Sequence, residues 1–264
     1  MRNALSAAAV GASVPRLVNR NNKNFTGTIM KYSVVIPLKD EEGNIEDLVE
    51  ELEPVMNSLL APWELICVDD GSKDRTPAIL SELARRKPYL KVITFARNYG
   101  QSSGFAAGFG QAAGEVVITM DGDRQNDPLD IPKLLASLVD ADMVCGQRRQ
   151  RQDSPYRRFV SKLGNIVRRW ACQDDIQDNN CSLKAYRTQS LSKIKMFEGM
   201  HRFLPALFHM EGLRVKEIPV NHRERASGKS KYSILTNRSI NTIIDLFAVV
   251  WMRKRTLRFE VRNE

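Results

Sequence analysis

The chain has 264 residues, 42% of them hydrophobic and 27% charged, with a formal net charge of +9. That is enough for one sizeable core, or one domain with an appendage. The longest apolar run near the C-terminus, residues 246–252, is far too short to cross a bilayer. Three His and four Cys with no CxxC spacing argue against a zinc site. No hydrophobic secretory segment opens the sequence, so Cys67, Cys145, Cys172 and Cys181 are expected to be buried, reduced thiols of a cytosolic protein.

Residues 1–29 are rich in Ala, Asn and Ser and lack acids and periodicity. They fit a disordered extension, an organelle transit peptide, or a segment ahead of a start at Met30. From Tyr32 the pattern alternates. "YSVVIP" predicts a strand, and residues 43–60 space Ile45, Leu48, Val49, Leu52 and Val55 helically. "WELICVDD" predicts a second strand and residues 76–86 a helix. "LKVITFA" predicts a third strand, followed by a helix of small residues through "GQSSGFAAGFGQAAG" that can pack close to a sheet. "EVVITMD" and "DMVCG" predict the fourth and fifth strands, with a helix in "DIPKLLASLV" between them. Continuous apolar strands alternating with helices predict an α/β fold: a mostly parallel sheet covered on both faces. Ligands then bind beyond the carboxyl ends of the strands.

Those ends are acidic. Asp40, Glu41 and Glu42 follow the first strand, Asp69-Asp70-Gly71-Ser72 the second, and Asp121-Gly122-Asp123 the fourth. Carboxylates accept hydrogen bonds from bases and ribose hydroxyls, or hold Mg²⁺ or Mn²⁺ with positions left open for substrate phosphates. Asp121-Gly122-Asp123 suits the cation. It is not an EF-hand, because the sixth loop position is Asn126 and the twelfth Pro132. Basic residues are uneven too. Arg148, Arg149, Arg151, Arg157, Arg158, Lys162, Arg168 and Arg169 face a single acid, Asp153, and the tail "WMRKRTLRFEVR" is basic. Such stretches attract nucleic acid, anionic lipid headgroups or phosphorylated substrates, or are solvated faces.

"VVIPLKDEEGNI", "VDDGSKDRT", "MDGDRQNDP" and "RASGKSKY" occur in this order. Together they resemble the family 2 glycosyltransferases of the GT-A fold, and most of all the dolichyl-phosphate mannose synthase group with its bacterial polyprenyl-phosphate relatives. The resemblance runs over about residues 31–251. It implies that Pro37, Lys39, Glu41, Val68 and Asp70 hold the nucleotide of a nucleoside-diphosphate sugar. Lys39 stands where the family usually has an aromatic residue, Asp40 where it has Asn, and Ser182 where many relatives have Gly. The resemblance also implies that Asp121 and Gly122 contact the ribose–diphosphate, and that Asp123 and Gln125, with Asp121, form the site for Mg²⁺ or Mn²⁺. Arg225 and Lys231 would close over the donor diphosphate. Arg148, Arg157 and Ser161 match positions that bind the acceptor phosphate, and Asp178 matches an Asp lining the acceptor site.

The expected organisation is an extension over residues 1–29, a GT-A domain over 30–236, and a C-terminal amphipathic, basic helix over 237–264. The expected activity is inverting, metal-dependent transfer of a sugar to a polyprenyl phosphate by a peripheral enzyme on the cytoplasmic, inner face of a membrane. Two segments suit that surface: "RRFVSKLGNIVRRW" from Arg157, and "IIDLFAVVWM" before "RKRTLR". Each could equally pack its apolar side on the sheet. Transfer to a glycan or other soluble hydroxyl is the first alternative. A basic nucleic-acid-binding protein is the more distant one; the basic stretches lack interleaved aromatics and a reader motif.

Overall fold

The computed structural model describes residues 30–148, 168–169, 171–172, 174–224 and 237–256. The expected strands and helices are β1 (Tyr32–Leu38), α1 (Ile45–Ser58), β2 (Trp63–Asp69), α2 (Thr76–Arg86), β3 (Leu90–Thr94), α3 (Gln101–Gln111), β4 (Val116–Thr119), α4 (Ile131–Ser137) and β5 (Met143–Arg148). Beyond them lie β6 (Lys184–Arg187), α5 (Thr188–Leu191), α6 (Leu204–Met210), β7 (Val215–Val220) and α7 (Asn237–Arg255).

The seven strands form one sheet in the order β3-β2-β1-β4-β6-β5-β7. It is parallel except at β6, which runs against both β4 and β5. β5 ends at the carboxyl edge and β6 starts at that same edge, so the two pair antiparallel.

Alternation within β1 and β2 builds a core on each face. Val34, Ile36, Leu38, Leu65 and Cys67 face α1, α2 and α4. Val35, Ile66 and Val68 face the opposite cluster, with Phe105, Phe109, Tyr186 and Phe208. The small residues of α3 let it lie close to β1, as expected. A Cβ on Gly104 would come within 2.9 Å of Pro37 Cβ, and one on Gly108 would overlap Val35 Cγ1. α7 sets Leu246, Val249 and Met252 against the second cluster. It leaves Ile243, Ile244, Phe247 and Trp251 exposed, so it is apolar on two sides.

Candidate active site

The carboxyl ends of β1, β2 and β4 open into one cavity of about 1120 Å³. Pro37, Lys39, Asp40, Glu41, Asp70, Asp121, Gly122 and Asp123 line it, which brings eight of the residues singled out in the sequence to one place. Asp69 does not join them. It is fully buried and accepts the Ser72 N–H at 3.0 Å.

Asp70 organises the turn from β3 into α3. Its carboxylate accepts the Tyr99 N–H at 2.6 Å and the Gly100 N–H at 2.9 Å. Gly71 beside it has φ +66°, and a Cβ there would sit 2.5 Å from the Arg97 carbonyl carbon. Only glycine meets both demands. Lys39 Nζ donates to both Asp40 carboxylate oxygens at 2.9 Å and to the Gly71 carbonyl at 3.0 Å. The cation standing where the family has an aromatic residue therefore ties the ends of β1 and β2 together.

Asp121 accepts from Gln101 Nε2 at 2.9 Å, and its N–H donates to Asn126 Oδ1 at 3.0 Å. Burial pushes its carboxyl up to about 6, and the charge of Asp123 adds to the shift; a Ser182 hydrogen bond and the charges of Lys184 and Arg148 oppose it. A Cβ on Gly122 would overlap Leu38 Cδ2, so the two acids flank a backbone pressed onto β1. The loop is anchored at both ends. Arg124, at φ +61°, pairs with Asp47 and Glu51 of α1. Arg223 binds the same Glu51 and also Asp127, at 2.7 Å. Burial raises the Glu51 carboxyl, but the two arginines outweigh it and the net shift is downward.

Several expected residues stand elsewhere. Val68 is fully buried in the second core cluster and is not on the cavity wall. Gln125 is not on the cavity wall. Its N–H donates to Asp123 Oδ1 at 3.2 Å and its carbonyl accepts the Arg223 N–H at 2.9 Å. Arg148 and Asp178 are likewise absent from the wall and grip each other through two hydrogen bonds of 2.6 and 2.8 Å. Arg157, Ser161, Arg225 and Lys231 lie outside the described residues, as do residues 1–29 and 257–264 and the segment from Arg157 to residue 167.

Apart from Ser182, the far wall was not legible in the sequence. Gln101 and Ser102 reach it from the first turn of α3, and Ser102 Oγ meets His201 Nδ1 at 2.7 Å while accepting the Gly199 N–H at 3.0 Å. Asn179, Ser182 and Lys184 arrive at the start of β6, and Thr242 and Asp245 from α7. A further signal was Gly100-Gln101, where a predicted strand gives way to a helix at the edge that carries the acids.

The profile of Glycosyl transferase family 2 matches residues 33–195. The undecaprenyl-phosphate 4-deoxy-4-formamido-L-arabinose transferase of Pectobacterium carotovorum subsp. carotovorum (strain PC1) is 39% identical over 220 residues, covering 83% of this chain and 67% of that protein. The dodecaprenyl-phosphate galacturonate synthase of Rhizobium johnstonii is 35% identical over 235 residues, covering 87% and 69%. Among solved structures, glucosyl-3-phosphoglycerate synthase from Mycobacterium tuberculosis, in complex with Mn²⁺, UDP-glucose and phosphoglyceric acid, superposes with a TM-score of 0.61. It is 16% identical and covers 87% of this chain and 81% of its own, a likeness of fold. A mostly parallel sheet with acids at three strand ends, a family profile over more than half the chain, and relatives of this identity agree: the chain is a family 2 glycosyltransferase of GT-A-like fold.

Proposed function

We propose that this glycosyltransferase moves a sugar from a nucleoside-diphosphate sugar to a polyprenyl phosphate at a membrane surface, with Mg²⁺ or Mn²⁺ held by Asp121 and Asp123. The observation that carries the reading is the single cavity shared by Asp40, Asp70, Asp121 and Asp123, in which Asp121 is pushed up to about 6 by burial and by its neighbour's charge. Among the described residues no group of three or more His, Cys, Asp or Glu is placed to hold a metal ion by itself. Two crowded carboxylates fit a hard cation that keeps water and substrate phosphate in its other positions. When bound, it offsets the charge growing on the leaving diphosphate.

The residues of the chain do the rest. Asp70 keeps lone pairs beyond the two amides it receives, and these accept ribose hydroxyls. An acceptor phosphate oxygen attacks the anomeric carbon opposite the diphosphate. The anomeric C–O bond breaks, the nucleoside diphosphate leaves, and configuration inverts. Phosphate is already anionic, so no general base is needed; basic side chains bring the two anions together. Arg157 and Ser161 on the acceptor, and Arg225 and Lys231 over the donor, enter this reading by resemblance alone. The undecaprenyl and dodecaprenyl phosphates of the Pectobacterium and Rhizobium enzymes support the acceptor, and the UDP-glucose and Mn²⁺ of the Mycobacterium structure support the donor and cation.

No helix among the described residues is long and apolar enough to cross a membrane. The exposed Ile243, Ile244, Phe247 and Trp251 of α7, followed by Arg253, Lys254 and Arg255, suit contact with an anionic cytoplasmic leaflet. The test is incubation with labelled nucleotide sugars, Mn²⁺ or Mg²⁺, and vesicles carrying undecaprenyl phosphate. Acid-labile label extractable into organic solvent and abolished by chelator is expected. Label confined to a soluble glycoside overturns the acceptor, and activity undiminished in chelator overturns the cation.

A further inference from the structure

The loop before β6 is tied down more heavily than a surface loop requires. Glu217 of β7 accepts the Gln177 N–H at 2.9 Å and the Asp178 N–H at 2.7 Å. Arg148 of β5 clamps the Asp178 carboxylate. Lys184 of β6, only 3% exposed, donates to the Asn179 carbonyl at 3.1 Å and to the Cys181 carbonyl. Charged groups from three strands thus converge on residues 177–181, and burying one of them, Lys184, is costly unless its hydrogen bonds are met.

At the centre of this loop one group is left over. Asn179 is 3% exposed and borders the cavity, yet its Oδ1 is shut off from solvent with no hydrogen-bond partner. A buried amide oxygen without a donor is a standing penalty. χ2 of Asn is soft, so a small rotation turns the oxygen to the cavity if a ligand there offers N–H or O–H.

Strand order says which part of the ligand that is. β6 lies beside β4 with Lys184 opposite Thr119, on the side away from β1 and β2. Ser182 Oγ donates to Asn126 Oδ1 at 2.7 Å, the same oxygen that receives the Asp121 N–H. A donor with its diphosphate at Asp121 and Asp123, and its nucleoside running toward Asp40 and Asp70, extends its sugar toward the loop of Asn179. The chemistry agrees. Sugar hydroxyls donate hydrogen bonds, whereas a phosphate acceptor in its dianionic form has only oxygens that accept them.

We propose that Asn179 is a specificity-determining residue of the donor site, accepting a hydrogen bond from a hydroxyl of the transferred sugar. The inference rests on the nucleotide-sugar reading given above. The test measures binding of UDP, UDP-glucose, UDP-galacturonate and GDP-mannose to the full chain with Mn²⁺, in wild type, Asn179→Leu and Asn179→Asp. Asn179→Leu is expected to weaken the best-binding nucleotide sugar about ten- to hundredfold while leaving the nucleoside diphosphate unchanged, because a polar partner is then unmet. Asn179→Asp, which keeps the acceptor, restores discrimination. Deoxy analogues of that sugar, titrated against wild type, serve if Asn179→Leu does not fold. One of them is expected to bind about tenfold more weakly, and no discrimination at any position overturns the proposal. Equal losses for UDP and nucleotide sugar, or none, also overturn it. Failure of wild type to bind any nucleotide sugar overturns the donor reading together with it.

Discussion

Replacing Asp121 by Asn is expected to stabilise the metal-free protein while disabling it. The carboxyl is displaced from its ordinary 3.8 to about 6, first by burial and then by Asp123. Between those two values the native state holds a proton that the unfolded chain has lost. Stability therefore falls as pH rises through this window, and the whole cost is present above it. Two pH units of displacement correspond to about 3 kcal/mol near pH 7.5, shrinking to about 1 kcal/mol near pH 4.5. Asparagine removes the charge and keeps Oδ1 as acceptor for Gln101, so the local hydrogen bond survives. Urea unfolding in chelator at the two pH values, followed by circular dichroism, reads the difference directly. Adding Mn²⁺ should then raise the midpoint of wild type and not of the variant, since a ligand stabilises only the state that binds it. A variant less stable than wild type near pH 7.5, or a gain independent of pH, would refute the electrostatic account of this site.

Arg148→Ala leaves the Asp178 carboxylate buried without its guanidinium, and about 3–5 kcal/mol of stability should be lost. Lost activity with unchanged thermal unfolding would instead make Arg148 a direct phosphate ligand. Gly108→Ala drives a methyl into Val35 and should cost about 1–3 kcal/mol in chemical denaturation. Tolerance within experimental error would mean that α3 can retreat from β1.

The first five strands were legible because each is an apolar run between helices with clear periodicity. β6 and β7 were not. β6 is four residues long and begins with a buried lysine, and β7, "VKEIPV", carries Lys216, Glu217 and Pro219 at the sheet edge. Neither alternates in a way that local sequence can reveal. The acids of the site could be read because strand ends converge on one edge in any parallel sheet. Asn179, His201 and Asp245 could not, since only tertiary packing brings residues so distant in sequence to the same wall. The arginine and aspartate expected at the acceptor site carried no sign that they would satisfy each other. Nor did Val68 announce which face of β2 it would occupy, because Leu65, Ile66, Cys67 and Val68 form a continuous apolar run buried on both sides.

The reversed strand also sets the order in which the sheet can be completed as the chain is made. β1 to β4 find their partners among themselves, but β5 pairs only with β6 and β7. When residue 148 leaves the ribosome, β5 has no neighbour on either side, and the outer edge of β4 is bare until Lys184–Arg187 arrives to cover it. Unpaired apolar edges of this kind are templates for association with other chains. A nascent chain arrested anywhere in the long connection to β6 is thus the species most exposed to aggregation, and β6 acts as the keystone that closes both gaps at once.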